Sequence, residues 1–171
     1  FFALKTIKRV KSLKLGQSDY HAGGYSVVLV ELELVDSNET TQTETIVYKP
    51  RCLKTEAALQ NLLQTLNQAE VVNFATYKVL CKSGYGYAEF IRAGENHAQS
   101  KKDIERFYNQ LGGYLAIFHI LGGSDMHYEN IIAANCNAFI CDCETLLEVV
   151  PYGMEQAHNT VFDSIFKTGM I

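Results

Sequence analysis

Proline is scarce, with two in 171 residues, too few for a disordered linker. Long apolar runs are also missing. Stretches such as Tyr25 to Val30 fall far short of the ~18 residues that a membrane span requires, so no transmembrane segment is expected. Positive charge is thin outside Lys5 to Lys14, and the net charge is −4. An acidic chain with one short basic end is a poor candidate for a nucleic-acid binder. The five cysteines do not pair evenly, and Phe1-Phe2-Ala3-Leu4-Lys5 has no charged region ahead of its apolar residues. A reduced, cytoplasmic location is the expectation. What is present is a globular composition, 47% hydrophobic and 20% charged, with a length that suggests about one domain. There is no initiator Met, and the end Thr168-Gly169-Met170-Ile171 carries no polar tail, so a piece of a longer protein is expected.

The first third reads as β structure. Tyr25 to Leu34 begins apolar and then alternates, with Leu32 and Leu34 on one face and Glu31 and Glu33 on the other. Asp36 to Gln42 reads as a turn and Thr43 to Tyr48 as a second strand, closed by Lys49-Pro50. Thr55 can cap a helix from Glu56 whose face is Ala58, Leu59, Leu62, Leu63 and Leu66. Phe74 to Cys81 and Tyr85 to Ile91 read as strands. A long helix from about Lys101 to Leu121 follows, with Ile104, Phe107, Tyr108, Leu111, Leu115 and Phe118 on its face, ended by Gly122-Gly123. Phe107, Leu111, Leu115 and Phe118 are expected to be core. Ala138 to Cys143 reads as a strand after a turn at Asn135-Cys136-Asn137, and Gln156 to Lys167 as a helical tail. The order is α+β without strict βαβ alternation.

Ser124-Asp125-Met126-His127-Tyr128-Glu129-Asn130 directly follows the long helix, and 12 residues past Asn130 comes Asp142, in an apolar stretch, then Glu144. A carboxylate in such a stretch is costly to desolvate unless a cation meets it. Asn130 offers a neutral oxygen and Asp142 a charged one, hard ligands that suit Mg²⁺ carrying nucleotide phosphates. Asp125 and His127 can orient or deprotonate an attacking hydroxyl. Lys49, at the end of a strand and upstream of a helix, completes the parts of phosphoryl transfer. Gly16 to Gly24, holding Asp19 and His21, is a glycine-rich turn that can cradle phosphate through backbone N–H groups, although it does not fit G-x-G-x-x-G. Cys136, Cys141 and Cys143 cluster, but their spacings are wrong for paired zinc knuckles, and buried small hydrophobes are expected instead.

Several motifs together carry a resemblance. They are G-x-S-D-x-H-x-G-G (Gly16 to Gly24), Y-K-P-R (Tyr48 to Arg51), G-Y-G-Y-x-E-F-I (Gly84 to Ile91), R-F-Y-x-x-L-G (Arg106 to Gly112), G-G-S-D-M-H-Y-E-N-I-I-A (Gly122 to Ala133), C-D-C-E-T-L (Cys141 to Leu146) and the closing T-G-M-I. The chain resembles, over almost its whole length, the dehydratase domain of class II lanthipeptide synthetases. The resemblance implies an atypical, lipid-kinase-like, two-lobed fold, with about 1–92 N-lobe-like and about 93–171 C-lobe-like, truncated at both ends. It implies use of ATP and Mg²⁺ to phosphorylate Ser and Thr of a leader-bearing precursor peptide, then elimination of phosphate to dehydroamino acids. It assigns the ATP phosphates to Lys49, with Asp19 and His21 near them, the catalytic loop to Asp125, His127 and Asn130, and the metal and its surroundings to Asn130, Asp142 and Glu144. It implies a C-terminal cyclase domain as partner, and it places an Arg and a Thr for elimination downstream of T-G-M-I. Two other readings stay open: another atypical small-molecule or lipid kinase, or a catalytically silent kinase-like module that binds the leader.

Overall fold

The computed structural model describes residues 5–16, 25–94, 96–147 and 164–170. In chain order the strands and helices are β1 (Thr6–Lys14), β2 (Val28–Val35), β3 (Thr41–Lys49), α1 (Lys54–Gln68), β4 (Val79–Cys81), β5 (Gly86–Glu89), α2 (Lys101–Ile120), β6 (Ile131–Ala134) and β7 (Asn137–Ile140). Short 3-10 turns lie at Tyr128–Asn130 and Ile165–Thr168. The chain divides into two units: Phe1–Gln60 with Tyr77–Phe90, and Asn61–Thr76 with Ile91–Ile171.

In the first unit a five-stranded sheet runs in the order β1-β2-β3-β5-β4, with every neighbouring pair antiparallel. Alternation in β2 buries Leu32 and Leu34, which pack with Ile46 of β3, Val30 and Tyr87. The turn into β3 is tied by the Asp36 carboxylate, which accepts the N–H groups of Asn38 and Thr40 at 2.9 Å. Gly86 lies opposite Lys49 in the β3–β5 ladder. A Cβ there would fall 2.6 Å from the side chain of Leu53, which is fully buried, so glycine allows the chain entering α1 to close on the sheet.

The basic stretch Lys5 to Lys14 is a strand. Its apolar residues Ile7, Val10 and Leu13 recur every third position, which is not the period of a strand. Two register shifts, between Ile7 and Arg9 and between Val10 and Ser12, resolve this. Each adds one residue to β1, so Ile7, Val10 and Leu13 stand opposite Leu34, Leu32 and Val30, which recur every second position.

The strands expected over Phe74 to Cys81 and Tyr85 to Ile91 contract to β4 and β5. Side chains hold the backbone before β4. In the first unit Gln60 accepts the Tyr77 N–H at 3.1 Å. In the second, Asn67 grips Phe74 twice, accepting its N–H at 2.7 Å and donating to its carbonyl at 2.8 Å. α1 begins at Lys54, one residue before the expected cap. Leu59 and Leu63 are buried, Leu62 and Leu66 half-buried and Ala58 exposed, because the inward face also carries Glu56 and Gln60.

α2 starts at a capping box in which the Ser100 side chain accepts the Asp103 N–H and Asp103 accepts that of Ser100. Its buried face is Gln110, Tyr114, Ile117 and Phe118. Of the four expected core positions Phe118 alone is fully buried. Phe107, Leu111 and Leu115 are half-buried, and Ile104 and Tyr108 are exposed. The helix is rotated because Gln110 points inward and is satisfied there. Its Nε2 donates to the Asn73 carbonyl at 2.6 Å and to Asn137 Oδ1 at 2.9 Å, and its Oε1 accepts the Ala138 N–H at 2.8 Å. Tyr114 packs 4.9 Å from the Phe74 ring and donates to the Ala138 carbonyl at 3.3 Å, and burial pushes its phenol above the ordinary value. β6 and β7 form a hairpin around Asn135 and Cys136, both at positive φ, as a two-residue hairpin turn requires. The expected strand to Cys143 ends at Ile140, so Cys141, Asp142 and Cys143 follow it. Most of the expected tail helix lies outside the described residues.

Candidate functional site

Lys49 is the last residue of β3 and 6% exposed, and Glu56, in the first turn of α1, is 1% exposed. The strand end and the helix start bring them together. Lys49 Nζ donates to Glu56 Oε1 at 2.9 Å and Oε2 at 2.8 Å. Tyr77 donates its hydroxyl to Oε1 at 2.9 Å, and the Arg51 guanidinium stands 3.9 Å from Oε2. Charges this deep are tolerated when they are paired and hydrogen-bonded. The lysine is thereby fixed at a strand end by a glutamate of the helix that follows.

In the second unit the loop from Gly123 to Asn130 is held mainly through its backbone. Asp125 sits at φ +61°, a sparsely populated conformation that Asp tolerates better than most residues. On its C-terminal side the Met126 N–H donates to the Thr168 carbonyl at 2.7 Å, and the Met126 side chain is 1% exposed. Asn130 Nδ2 donates to the Asp125 carbonyl at 2.8 Å. Thr145 donates to the Ser124 carbonyl and accepts its N–H at 3.4 Å. The polar side chains remain accessible: Asp125 is 69% and His127 40% exposed, with His127 Nε2 3.6 Å from Asp125 Oδ1. His127 Nδ1 accepts the Glu129 N–H at 3.3 Å, so its acceptor lone pair points into the chain and the proton is assigned to Nε2, on the side of Asp125.

The spacing between Asn130 and Asp142 is that of the β6–β7 hairpin. Asn130 immediately precedes β6, and its carbonyl accepts the Cys141 N–H at 3.0 Å, so Asp142 follows at the same open end. With Nδ2 engaged, Asn130 Oδ1 is the atom fit to ligate a cation. Asp142 is half-buried, and its Oδ1 accepts the Glu144 N–H at 3.3 Å. Among the described residues no group of three His, Cys, Asp or Glu could hold a metal by itself. One carboxylate with a neutral oxygen suits Mg²⁺, which keeps waters and shares its shell with phosphates instead of entering an all-protein cage. Cys143 is buried and Cys136 and Cys141 half-buried, and none of the five cysteines is in a disulfide.

The structure thus brings together Asp125, His127 and Asn130, and places Asp142 one residue past the backbone partner of Asn130, with the Glu144 N–H on the Asp142 carboxylate. Asp19 and His21 lie outside the described residues. Three contributors went unread in the sequence. Glu56 carried a signal, a glutamate in the first turn of the helix after a strand lysine. Tyr77 carried none, since it acts through a contact distant in sequence, and the Thr168–Gly169 turn stood only in the closing T-G-M-I motif, with nothing in the sequence to tie it to the loop. Gly169, at φ +75°, passes so close to the loop that a Cβ would stand 3.2 Å from the Met126 nitrogen.

Residues 1–171 match the family model described as "Domain of unknown function (DUF4135)", and the chain belongs to that family. It is 23% identical over 148 residues to the lacticin 481/lactococcin biosynthesis protein LcnDR2 of Lactococcus lactis subsp. lactis. The match covers 77% of this chain and 16% of that protein, so the chain spans less than a fifth of this relative's length. Both findings support the relation to lanthipeptide synthetases that the motifs carry. Among the described residues no helix is long and apolar enough to cross a membrane.

Proposed function

We propose that this chain is the kinase-like core of a class II lanthipeptide dehydratase, which phosphorylates Ser and Thr of a precursor peptide with ATP and Mg²⁺. The buried Lys49–Glu56 pair carries the reading: a strand lysine locked to a glutamate in the first turn of the next helix. Lys49 would hold nucleotide phosphates. Asp125, exposed in its loop, would accept the proton of the substrate hydroxyl as that oxygen bonds to the γ-phosphorus and the bond to ADP breaks. His127 would orient Asp125, and Asn130 and Asp142 would hold Mg²⁺, with Glu144 beside them. The ion supplies neutralisation of charge developing on the phosphoryl oxygens. Asp19 and His21 belong to the same reading as neighbours of the phosphates.

Elimination, which removes the α-proton, breaks the Cβ–O bond and releases phosphate, would use groups beyond residue 171. The relation to a lantibiotic biosynthesis protein supports a precursor peptide as substrate, and a cyclase domain would be the partner in the parent protein. The test is peptide mass after incubating the parent protein with its precursor, ATP and Mg²⁺. Phosphorylation adds ~80 Da per site and completed dehydration subtracts ~18 Da. Wild-type protein should give dehydrated peptide. The Asp142→Asn variant, which removes a charge while keeping shape, should give unmodified peptide. A variant that modifies its peptide at the normal rate would remove Asp142 from the mechanism.

A further inference from the structure

The Lys49–Glu56 pair has a third participant that the proposed chemistry does not use. Tyr77 is 6% exposed, and its hydroxyl donates to Glu56 Oε1 at 2.9 Å, the same oxygen that accepts Lys49 Nζ. Its backbone N–H donates to Gln60 Oε1 at 3.1 Å. Glu56 and Gln60 are four residues apart on α1, so one helix face grips Tyr77 at both the backbone and the hydroxyl. This double grip fixes the hydroxyl's place along the helix.

The geometry of the carboxylate explains why a hydroxyl matters there. The last torsion of a glutamate is soft, so its partners set the plane of the carboxylate. Lysine, which contacts both oxygens here, is a compact charge with rotatable donors and defines that plane poorly. A phenol O–H is a directional donor. A phenylalanine would fill the same space without orienting anything.

We infer that Tyr77 is a positioning residue: its hydroxyl fixes the Glu56 carboxylate, and through it the direction in which Lys49 presents its ammonium. That this direction faces nucleotide phosphates rests on the function proposed above. The pair is presented as a unit, and the tyrosine sets its aim.

The experiment measures acylation of Lys49 by an amine-reactive reagent, read by mass spectrometry on the full-length parent protein, with and without Mg·ATP. Tyr77→Phe should raise the Lys49 labelling rate several-fold while the melting temperature moves little. It should also raise KM for ATP more than it lowers kcat. In a Glu56→Gln background, Tyr77→Phe should add nothing, because the residue acts through that carboxylate. An unchanged labelling rate, or the same increment in both backgrounds, overturns the inference. Placing 3-fluorotyrosine at position 77 keeps the packing and strengthens the donor, so labelling should slow, and an unchanged rate there overturns the inference even if Tyr77→Phe does not fold. Failure of Mg·ATP to protect Lys49 in the wild type would defeat the phosphotransfer reading, while the labelling comparison still decides the role of Tyr77.

Discussion

The two units hold their polar residues in opposite ways. Around Lys49, side chains hold side chains, and Glu56 and Tyr77 are buried with their hydrogen bonds made inside the protein. Around Asp125, what is held is the backbone of the loop, by another backbone carbonyl and by side chains that reach it. The Thr168 carbonyl and the Asn130 amide fix the loop, and the Asp125 carboxylate is left two-thirds exposed. The first arrangement suits a group that must keep one position through every turnover. The second suits a group that must meet a substrate and change protonation, since burial would oppose the charged form.

The difference predicts unequal costs of substitution. Glu56→Ala strands a buried ammonium and should destabilise the protein by about 3–5 kcal/mol, measured by denaturant unfolding. Asp125→Asn tolerates the positive φ, removes no buried charge and should stay within about 0.5 kcal/mol of wild type while abolishing peptide phosphorylation. Equal destabilisation by the two would erase the contrast. Gly169→Ala strikes the backbone that braces the loop. Its Cβ would press on the Met126 nitrogen at a φ unfavourable to alanine, for a loss of about 1–3 kcal/mol. It should also slow phosphorylation, although Gly169 itself contributes no side chain. Thermal melting with an activity assay separates the two effects, and a full-rate Gly169→Ala variant would show that the loop needs no brace.

α2 tests the sequence against the structure. The apolar stripe predicts Leu115 as core, whereas the structure turns Tyr114 inward and leaves Leu115 half-buried. Tyr114→Ala should therefore cost about 3–5 kcal/mol and Leu115→Ala about 1–2 kcal/mol. The reverse order, in unfolding free energies, would restore the stripe.

What the sequence made legible followed from local pattern. The β2–β3 pair, both helices and the β6–β7 turn each announce themselves by alternation, apolar spacing or turn residues. The hairpin also explains why Asn130 and Asp142 belong together despite their separation. Three things were hidden, each by tertiary context. β1 was masked because two bulges convert a spacing of three into strand pairing. The rotations of α1 and α2 were masked because Glu56, Gln60 and Gln110 are polar residues whose partners lie elsewhere in the chain. The brace from Thr168 to Met126 joins positions 42 residues apart through a backbone carbonyl, which leaves no mark on residue type.

The smallest effect belongs to ion pairs at the surface, the counterpart of the buried pair at Lys49. Glu33 on β2 accepts hydrogen bonds from Arg9 at 2.8 and 3.0 Å and pairs with Lys8 at 2.8 Å, both on β1. These cations, Lys8 first and then Arg9, hold its carboxyl down from 4.5 to about 2. Glu31 is lowered too, mainly by the Ser12 hydroxyl. A carboxyl depressed in the folded state contributes stability above its unfolded pKa and loses it as protons return. The contribution of Glu33 should therefore be complete above pH 4.5 and fade between 4.5 and about 2. The Lys8 and Arg9 side chains are more than half exposed, so solvent and salt keep it small. In melts across that pH window Glu33→Gln should show a slightly shallower loss of melting temperature than wild type, and the two slopes should converge at high salt. If the slopes match at low salt as well, β1 is held by its backbone ladder and by the apolar residues Ile7, Val10 and Leu13, and the pairs along it add nothing to folding.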